Sequence, residues 1–139
     1  MQSKGTAAVD HPAGRLTVYT GRRTVEKVTA PLQEPTFLIL SALAAGPMHG
    51  YGVIQEVAAL SSGRVTLRPG TLYGALDRLS EQGLVAQEGE EVVEGRLRRY
   101  YRLTDPGADV LAAEVERMAD NARAASARLR QHVRGAATA

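Results

Sequence analysis

The chain has no cysteine, no tryptophan and a single phenylalanine among its 139 residues. Without cysteine there is no disulfide framework and no thiolate metal site. A metal site would have to rest on His11, His49 and His132, which are scattered without ligand spacing. Neither a metal nor a cofactor is expected. There is no Gly-rich phosphate loop and no nucleophile–base set, so an enzyme is not expected either. No apolar run approaches the roughly 20 residues that span a bilayer. Met1 to Ala8 lack the apolar stretch of a secretory signal. No membrane partner is expected, and a cytoplasmic location is. With so few large aromatics, the core must be built from Leu, Val, Ala and Tyr.

The net charge is +2, a weak pointer to nucleic acid on its own. Its distribution says more. Between Pro35 and Thr104, seven arginines balance seven acidic residues, yet Arg96, Arg98, Arg99 and Arg102 crowd together, and so do Glu88, Glu90, Glu91 and Glu94. Arginine suits bidentate contact with phosphate or guanine.

Residues 1–33 are broken by Gly5, Pro12, Gly14, Gly21 and Pro31. They read as an N-terminal extension, either flexible or an arm that contacts a partner, with Arg15–Thr20 a short strand by propensity. A first helix starts at Glu34-Pro35, where proline suits the first turn, and Gly46-Pro47 ends it. It is apolar nearly all round, which predicts burial against both its own core and a second chain. A second helix runs from His49 or Gly50 to Leu60, followed by a short strand over Arg64–Leu67. A third begins near Pro69-Gly70-Thr71. Leu72, Ala75, Leu76 and Leu79 recur on its inner face, Thr71, Gly74, Asp77, Arg78 and Glu81 face out, and Tyr73 sits at the margin. Leu84–Gln87 is strand-like, Glu88–Gly95 reads as a loop, and Arg96–Leu103 returns as a strand with Arg96 and Arg98 pointing away from the core. Thr104 is a helix N-cap, with Pro106 in the first turn. The helix that follows carries Leu111, Val115, Met118, Ala122, Ala125 and Leu129 at alternating spacings of four and three, a heptad seam. It is too long for a body of this size to cover. The excess seam predicts a homodimer.

The reading is a mainly α fold with a small β-hairpin wing: a winged helix-turn-helix over 34–104, then a long C-terminal dimerisation helix over 105–134. Three motifs stand in order: Gly46-Pro47-Met48-His49-Gly50-Tyr51, Pro69-Gly70-Thr71-Leu72-Tyr73, and Arg98-Arg99-Tyr100-Tyr101-Arg102-Leu103-Thr104. In these the chain resembles the PadR family of bacterial transcriptional regulators, in its shorter branch with one C-terminal helix. The resemblance covers about Glu34 to the end. It implies a dimer that binds an inverted repeat in double-stranded DNA, usually as a repressor. Some short members hold flat aromatic drugs at the dimer interface by stacking on tryptophan, which is absent here. Gly74 and Leu97 stand where many members carry proline.

The candidate DNA contacts are Thr71, Tyr73, Gly74 and Arg78 on the recognition helix, Arg68 at its entrance, Tyr51 at the start of the second helix, and Arg96 and Arg98 on the wing. Thr71 reads equally as a helix cap, and Tyr51 equally as a core residue. Arg78 reads as a DNA-backbone contact or an ion pair with Asp77 or Glu81, and Arg99 as an ion pair with the wing glutamates. The candidate dimer interface is Phe37, Leu40 and the heptad seam. Phe37, Leu40, Val115 and Met118 would line a pocket for a small hydrophobic or aromatic effector, or equally a dry interface. The alternative function is a winged helix used for protein–protein contact without direct DNA binding, which the balanced charge permits.

Overall fold

The computed structural model describes the backbone of residues 6–10, 15–20, 23–28 and 31–138, and side chains across 31–136. Strands β1 (Thr6–Asp10), β2 (Arg15–Thr20) and β3 (Arg23–Val28) form an antiparallel sheet in that order. β2 is the stretch whose Thr, Val and Tyr content favours a strand. The expected role of this segment, a flexible extension or a partner-contacting arm, concerns side chains outside the described residues.

Helix α1 (Glu34–Ala44) carries Pro35 in its first turn. Leu38, Ile39, Leu40, Ala42 and Leu43 are all buried within the protomer. The two-residue strand β4 (Met48–His49) leads into helix α2 (Gly50–Leu60). His49 caps α2: its Nδ1 accepts the Gly52 N–H at 3.2 Å. Helix α3 (Pro69–Glu81) buries Leu72, Ala75, Leu76 and Leu79, the inner face expected from their spacing. Gly83 ends it at φ +79°, and the Leu84 N–H reaches back to the Leu79 carbonyl at 2.9 Å. That is a Schellman stop, and it needs the left-handed conformation glycine adopts at little cost.

The strand expected over Arg64–Leu67 is absent. Ser61 is buried, and its Oγ accepts the Val65 N–H at 3.0 Å while donating to the Val57 carbonyl at 2.9 Å. The Val65 amide is therefore spent on a local turn. The sheet position is filled by β4 instead, with Met48 opposite Tyr101 and His49 opposite Tyr100.

The expected loop over Glu88–Gly95 is mostly strand. β5 (Val85–Val93) and β6 (Arg96–Leu103) make a long antiparallel hairpin, and the sheet order is β4-β6-β5. Glu94 and Gly95 alone form the turn, at φ +51° and +76°. Positive φ at both central residues matches the twist of the flanking strands. Glu88 is an extra residue in β5, a bulge between the Gln87–Tyr101 and Gly89–Tyr100 pairs. The core gathers Ile39, Leu40 and Leu43 of α1, Val53 and Val57 of α2, Leu72 and Leu76 of α3, and Leu84, Val85 and Tyr101 at the hairpin root. Each such aliphatic side chain contributes roughly 1.5–3 kcal/mol by burial.

Helix α4 (Asp105–Thr138) has 34 residues and is about 50 Å long. Thr104 caps it, as expected: its Oγ1 accepts the Gly107 N–H at 3.0 Å and donates to the Gly83 carbonyl. The helix continues past the expected end near Val133. Its first turns lie against α1 and the hairpin root, with Gly107 and Glu114 buried. The Glu114 carboxylate takes the Leu32 N–H at 3.3 Å and pairs with Arg117. Further on the seam is open: Val115 is 49% exposed, Met118 44% and Leu129 63%. No helix among the described residues is long and apolar enough to cross a membrane.

Candidate nucleic-acid interface

Two close contacts join α3, the start of α2 and the hairpin. The Tyr73 ring of α3 lies over the first residue of α2. A Cβ added at Gly50 would sit 2.2 Å from the Tyr73 hydroxyl oxygen and 2.6 Å from Cζ. Only glycine permits that approach. On the other side, the His49 ring meets Tyr100 of β6 edge-on, with centroids 5.5 Å apart and planes at 89°. Such T-shaped contacts suit the opposed charge of ring face and ring edge. The first turn of α2 is thus held between the outer face of α3 and the hairpin. The motif residues that sequence reading treated separately, His49-Gly50-Tyr51, Tyr73 and Tyr100, come together here.

Tyr51 is 60% exposed, so it is not a core residue. Tyr73 is half exposed, with its ring seated on Gly50. Thr71 is exposed in the first turn of α3 and does not cap it: the N-cap is Arg68, with no side-chain hydrogen bond. Arg68 and Arg78 are exposed, and among the described residues neither Asp77 nor Glu81 pairs with Arg78. Gly74 is partly buried, and a Cβ there would lie 3.9 Å from the Arg78 guanidinium.

The wing is a charge ladder. Arg102 pairs with Glu88 at 3.1 Å and Arg99 with Glu90 at 3.3 Å. The Tyr100 hydroxyl donates to the Glu91 carboxylate, and this bond raises the hydroxyl's pKa above its ordinary value. Arg96 and Arg98 have no carboxylate within ion-pair distance among the described residues; Arg98 lies beside the Tyr100 hydroxyl. Period two puts Arg96, Arg98, Tyr100 and Arg102 on one face of β6. The opposite face carries Leu97, Arg99, Tyr101 and Leu103. Tyr101 is buried at the root, but Leu97 is exposed because the hairpin projects past the body.

Leu40 is corrected by the structure. It is 0% exposed, enclosed by the protomer's own core, so it lines neither a dimer interface nor an effector pocket. Its helix packs against α2, α4 and strand β6 of the same protomer, which accounts for most of its apolar faces. Phe37 is only partly buried and does reach the surface, where it lines an open groove of about 580 Å³ with Leu32, Leu38 and Met118. Val115 and Leu40 are not among the groove's lining residues. Its rim carries Glu34, Arg64, Glu114 and Arg117, with Arg64 and Glu34 paired at 2.9 Å. No cluster of metal-ligating side chains occurs among the described residues.

Three packed helices, a third strand beside a hairpin and an exposed helix next to an arginine-bearing wing define a winged helix-turn-helix. The model of the PadR-like family of transcriptional regulators matches residues 39–113. This chain belongs to that family. It is 39% identical over 85 residues to the transcriptional regulator Rv3488 of Mycobacterium tuberculosis, covering 61% of this chain and 76% of that one. It is 43% identical over 82 residues to an uncharacterized 37.1 kDa protein in transposon TN4556 of Streptomyces fradiae. That match covers 59% of this chain but spans only 22% of the transposon protein. Among solved structures, a PadR family transcription regulator from Clostridium difficile aligns with a TM-score of 0.59 at 24% identity, covering 70% of this chain and 99% of that one. Bacillus subtilis PadR in complex with operator DNA aligns with a TM-score of 0.54 at 19% identity, covering 60% and 48%.

Proposed function

We propose that the protein is a dimeric, sequence-specific DNA-binding regulator in the cytoplasm, a repressor released by a small hydrophobic or aromatic effector. In this reading residues 34–104 bind DNA, 105–134 dimerise and 1–33 form an accessory arm. The observation that carries it is the continuous surface of α3, the α2 start and the wing, with Arg68, Arg96 and Arg98 free of carboxylate partners among the described residues. α3 enters the major groove. Thr71, Tyr73 and the Gly74–Arg78 face meet base edges and the near backbone. The start of α2, with Tyr51, meets phosphate where helix amides point outward. Arg96 and Arg98 contact phosphate or enter the minor groove. The groove beside Phe37 and Met118 receives the effector; its apolar floor and charged rim suit a flat amphipathic molecule.

The test is fluorescence anisotropy with DNA from the gene's own upstream region and a scrambled duplex, at three salt concentrations. Preferential, salt-dependent binding is expected. A second reading, a winged helix that docks on protein, is favoured by the pairing of Arg99 and Arg102 with glutamates. Absence of DNA binding at low salt, including to duplexes selected from a random pool, would favour it over the first.

Gly50→Ala is expected to leave the fold intact, because the half-exposed Tyr73 ring can swing aside. Melting should shift by only a few degrees. Specific affinity should fall about tenfold, since Tyr73 leaves its seat. Equal loss on scrambled and native duplexes would remove Tyr73 from the base-reading face.

The wing glutamates set the opposite sign. Glu90→Gln with Glu91→Gln is expected to tighten binding to the scrambled duplex several-fold and steepen its salt dependence. Unchanged non-specific affinity would mean that the ladder does not restrain the wing arginines.

A further inference from the structure

We propose that Tyr100 is a positioning residue for DNA binding: its hydroxyl holds the Glu91 carboxylate away from Arg98 and so keeps that arginine available to phosphate. This rests on the DNA-binding reading above and adds to it a side chain that acts through Arg98.

In the hairpin register Glu90 stands opposite Arg99, and Glu91 opposite Arg98. Opposite charges that face each other on antiparallel strands are close enough to pair and are stabilised by doing so. Glu90 and Arg99 do pair, at 3.3 Å. Arg102, beside the bulge, finds Glu88 at 3.1 Å. Glu91 and Arg98 break the pattern. They face each other across the ladder and make no ion pair among the described residues. The Glu91 carboxylate accepts the Tyr100 hydroxyl instead.

The three side chains share one face of the hairpin. Residues opposed across two strands lie on the same face, and Arg98 and Tyr100 are two apart along β6. The phenol and the guanidinium therefore compete for one carboxylate. Tyrosine has the smaller ordering cost, because its ring turns on only two torsions. That ring is also braced edge-on by His49, its partner on β4, with centroids 5.5 Å apart. Arginine would have to order a long, rotamer-rich chain to reach the same oxygen. The bond to Glu91 is the main cause that raises the hydroxyl's pKa, so the hydroxyl stays a donor throughout the neutral range. Arg98 lies beside this hydroxyl, whose oxygen can accept a guanidinium N–H while its proton goes to Glu91. A neutral neighbour leaves the charge of Arg98 uncancelled. The brace from His49 also ties the wing's free charge to the start of α2.

Tyr100→Phe removes the hydroxyl and keeps the ring against His49. The test compares this variant, Glu91→Gln and the two combined with the parent. Each is titrated by anisotropy on native and scrambled duplexes across a salt series, and circular dichroism checks the fold. In Tyr100→Phe the freed carboxylate should turn to Arg98. Affinity should then fall several-fold on both duplexes, and the slope of log affinity against log salt should flatten by about 0.9, one phosphate contact. Adding Glu91→Gln should restore the parent slope. Glu91→Gln alone should move it far less, because Glu91 does not hold Arg98 in the parent. In an Arg98→Ala chain, Tyr100→Phe should leave the slope where it is.

A parent slope in Tyr100→Phe would overturn the proposal. So would a flattened slope that Glu91→Gln fails to restore, or one that appears in the Arg98→Ala chain as well, since the hydroxyl would then touch DNA itself. A parent that binds no duplex, selected ones included, overturns the DNA-binding reading and the role of Tyr100 with it.

Discussion

Gly107→Ala should unfold this domain at a much lower temperature than the parent. A Cβ at Gly107 would lie 2.0 Å from the Leu84 carbonyl oxygen and 2.8 Å from Leu103 Cδ1. The obstacle is backbone, and it is fixed from both sides: the Leu84 N–H bonds the Leu79 carbonyl, and its carbonyl takes the Thr104 N–H at 3.1 Å. Relief requires α4 to lift off the hairpin root. The expected loss is about 3 kcal/mol, or roughly 15 °C in Tm for a domain of this size. Local propensity alone gives the opposite sign, since alanine is better than glycine inside a helix by about 1 kcal/mol. Thermal melting by circular dichroism therefore separates the two. A Tm equal to or above the parent's would show that α4 does not sit this close to Leu84. Gly50→Ala meets a movable side chain instead, so the two glycines should part cleanly, one losing stability and the other recognition.

The double variant Arg96→Ala, Arg98→Ala is expected to weaken DNA binding by tenfold or more on native and scrambled duplexes alike. These are the β6 arginines without a carboxylate partner among the described residues, so their charge is available to phosphate. Each neutralised phosphate contact removes about 0.9 from the slope of log affinity against log salt, so the pair should flatten it by nearly two. The same change at Arg99 and Arg102 should cost less, because both already share their charge with Glu90 and Glu88. Anisotropy titrations from low to moderate salt measure both quantities. An unaltered slope would take Arg96 and Arg98 off the phosphate.

Much of this architecture was legible in the residues because the signals were local. Pro35, Pro69, Thr104 and Gly83 mark helix ends through their own backbone chemistry, and the α3 core face followed from spacing alone. What escaped depended on distant partners. Met48–His49 is too short for any period and is a strand only because β6 lies beside it. Arg64–Leu67 has strand composition, but one buried serine hydroxyl takes the Val65 amide. Glu88–Val93 looks like a polar loop because its stabilising contacts are cross-strand charges rather than a buried face. Leu40 reads as surface-bound in an all-apolar helix until the elements around it are in place. The meeting of Gly50 with Tyr73, and of His49 with Tyr100, could be found only once two helices and a hairpin were assembled.

The extra residue in β5 has a consequence for how this wing can vary. A bulge bends its strand and increases the local twist without altering which residues pair beyond it. From Gly89–Tyr100 out to Val93–Arg96 the ladder continues unbroken. Losing or gaining one residue at Glu88 would swing the distal hairpin to a new heading while keeping its length, its turn and the complement of arginines it carries. Because Glu88 is also the ion-pair partner of Arg102, the same loss would free that arginine, so heading and charge are tied together at this one residue.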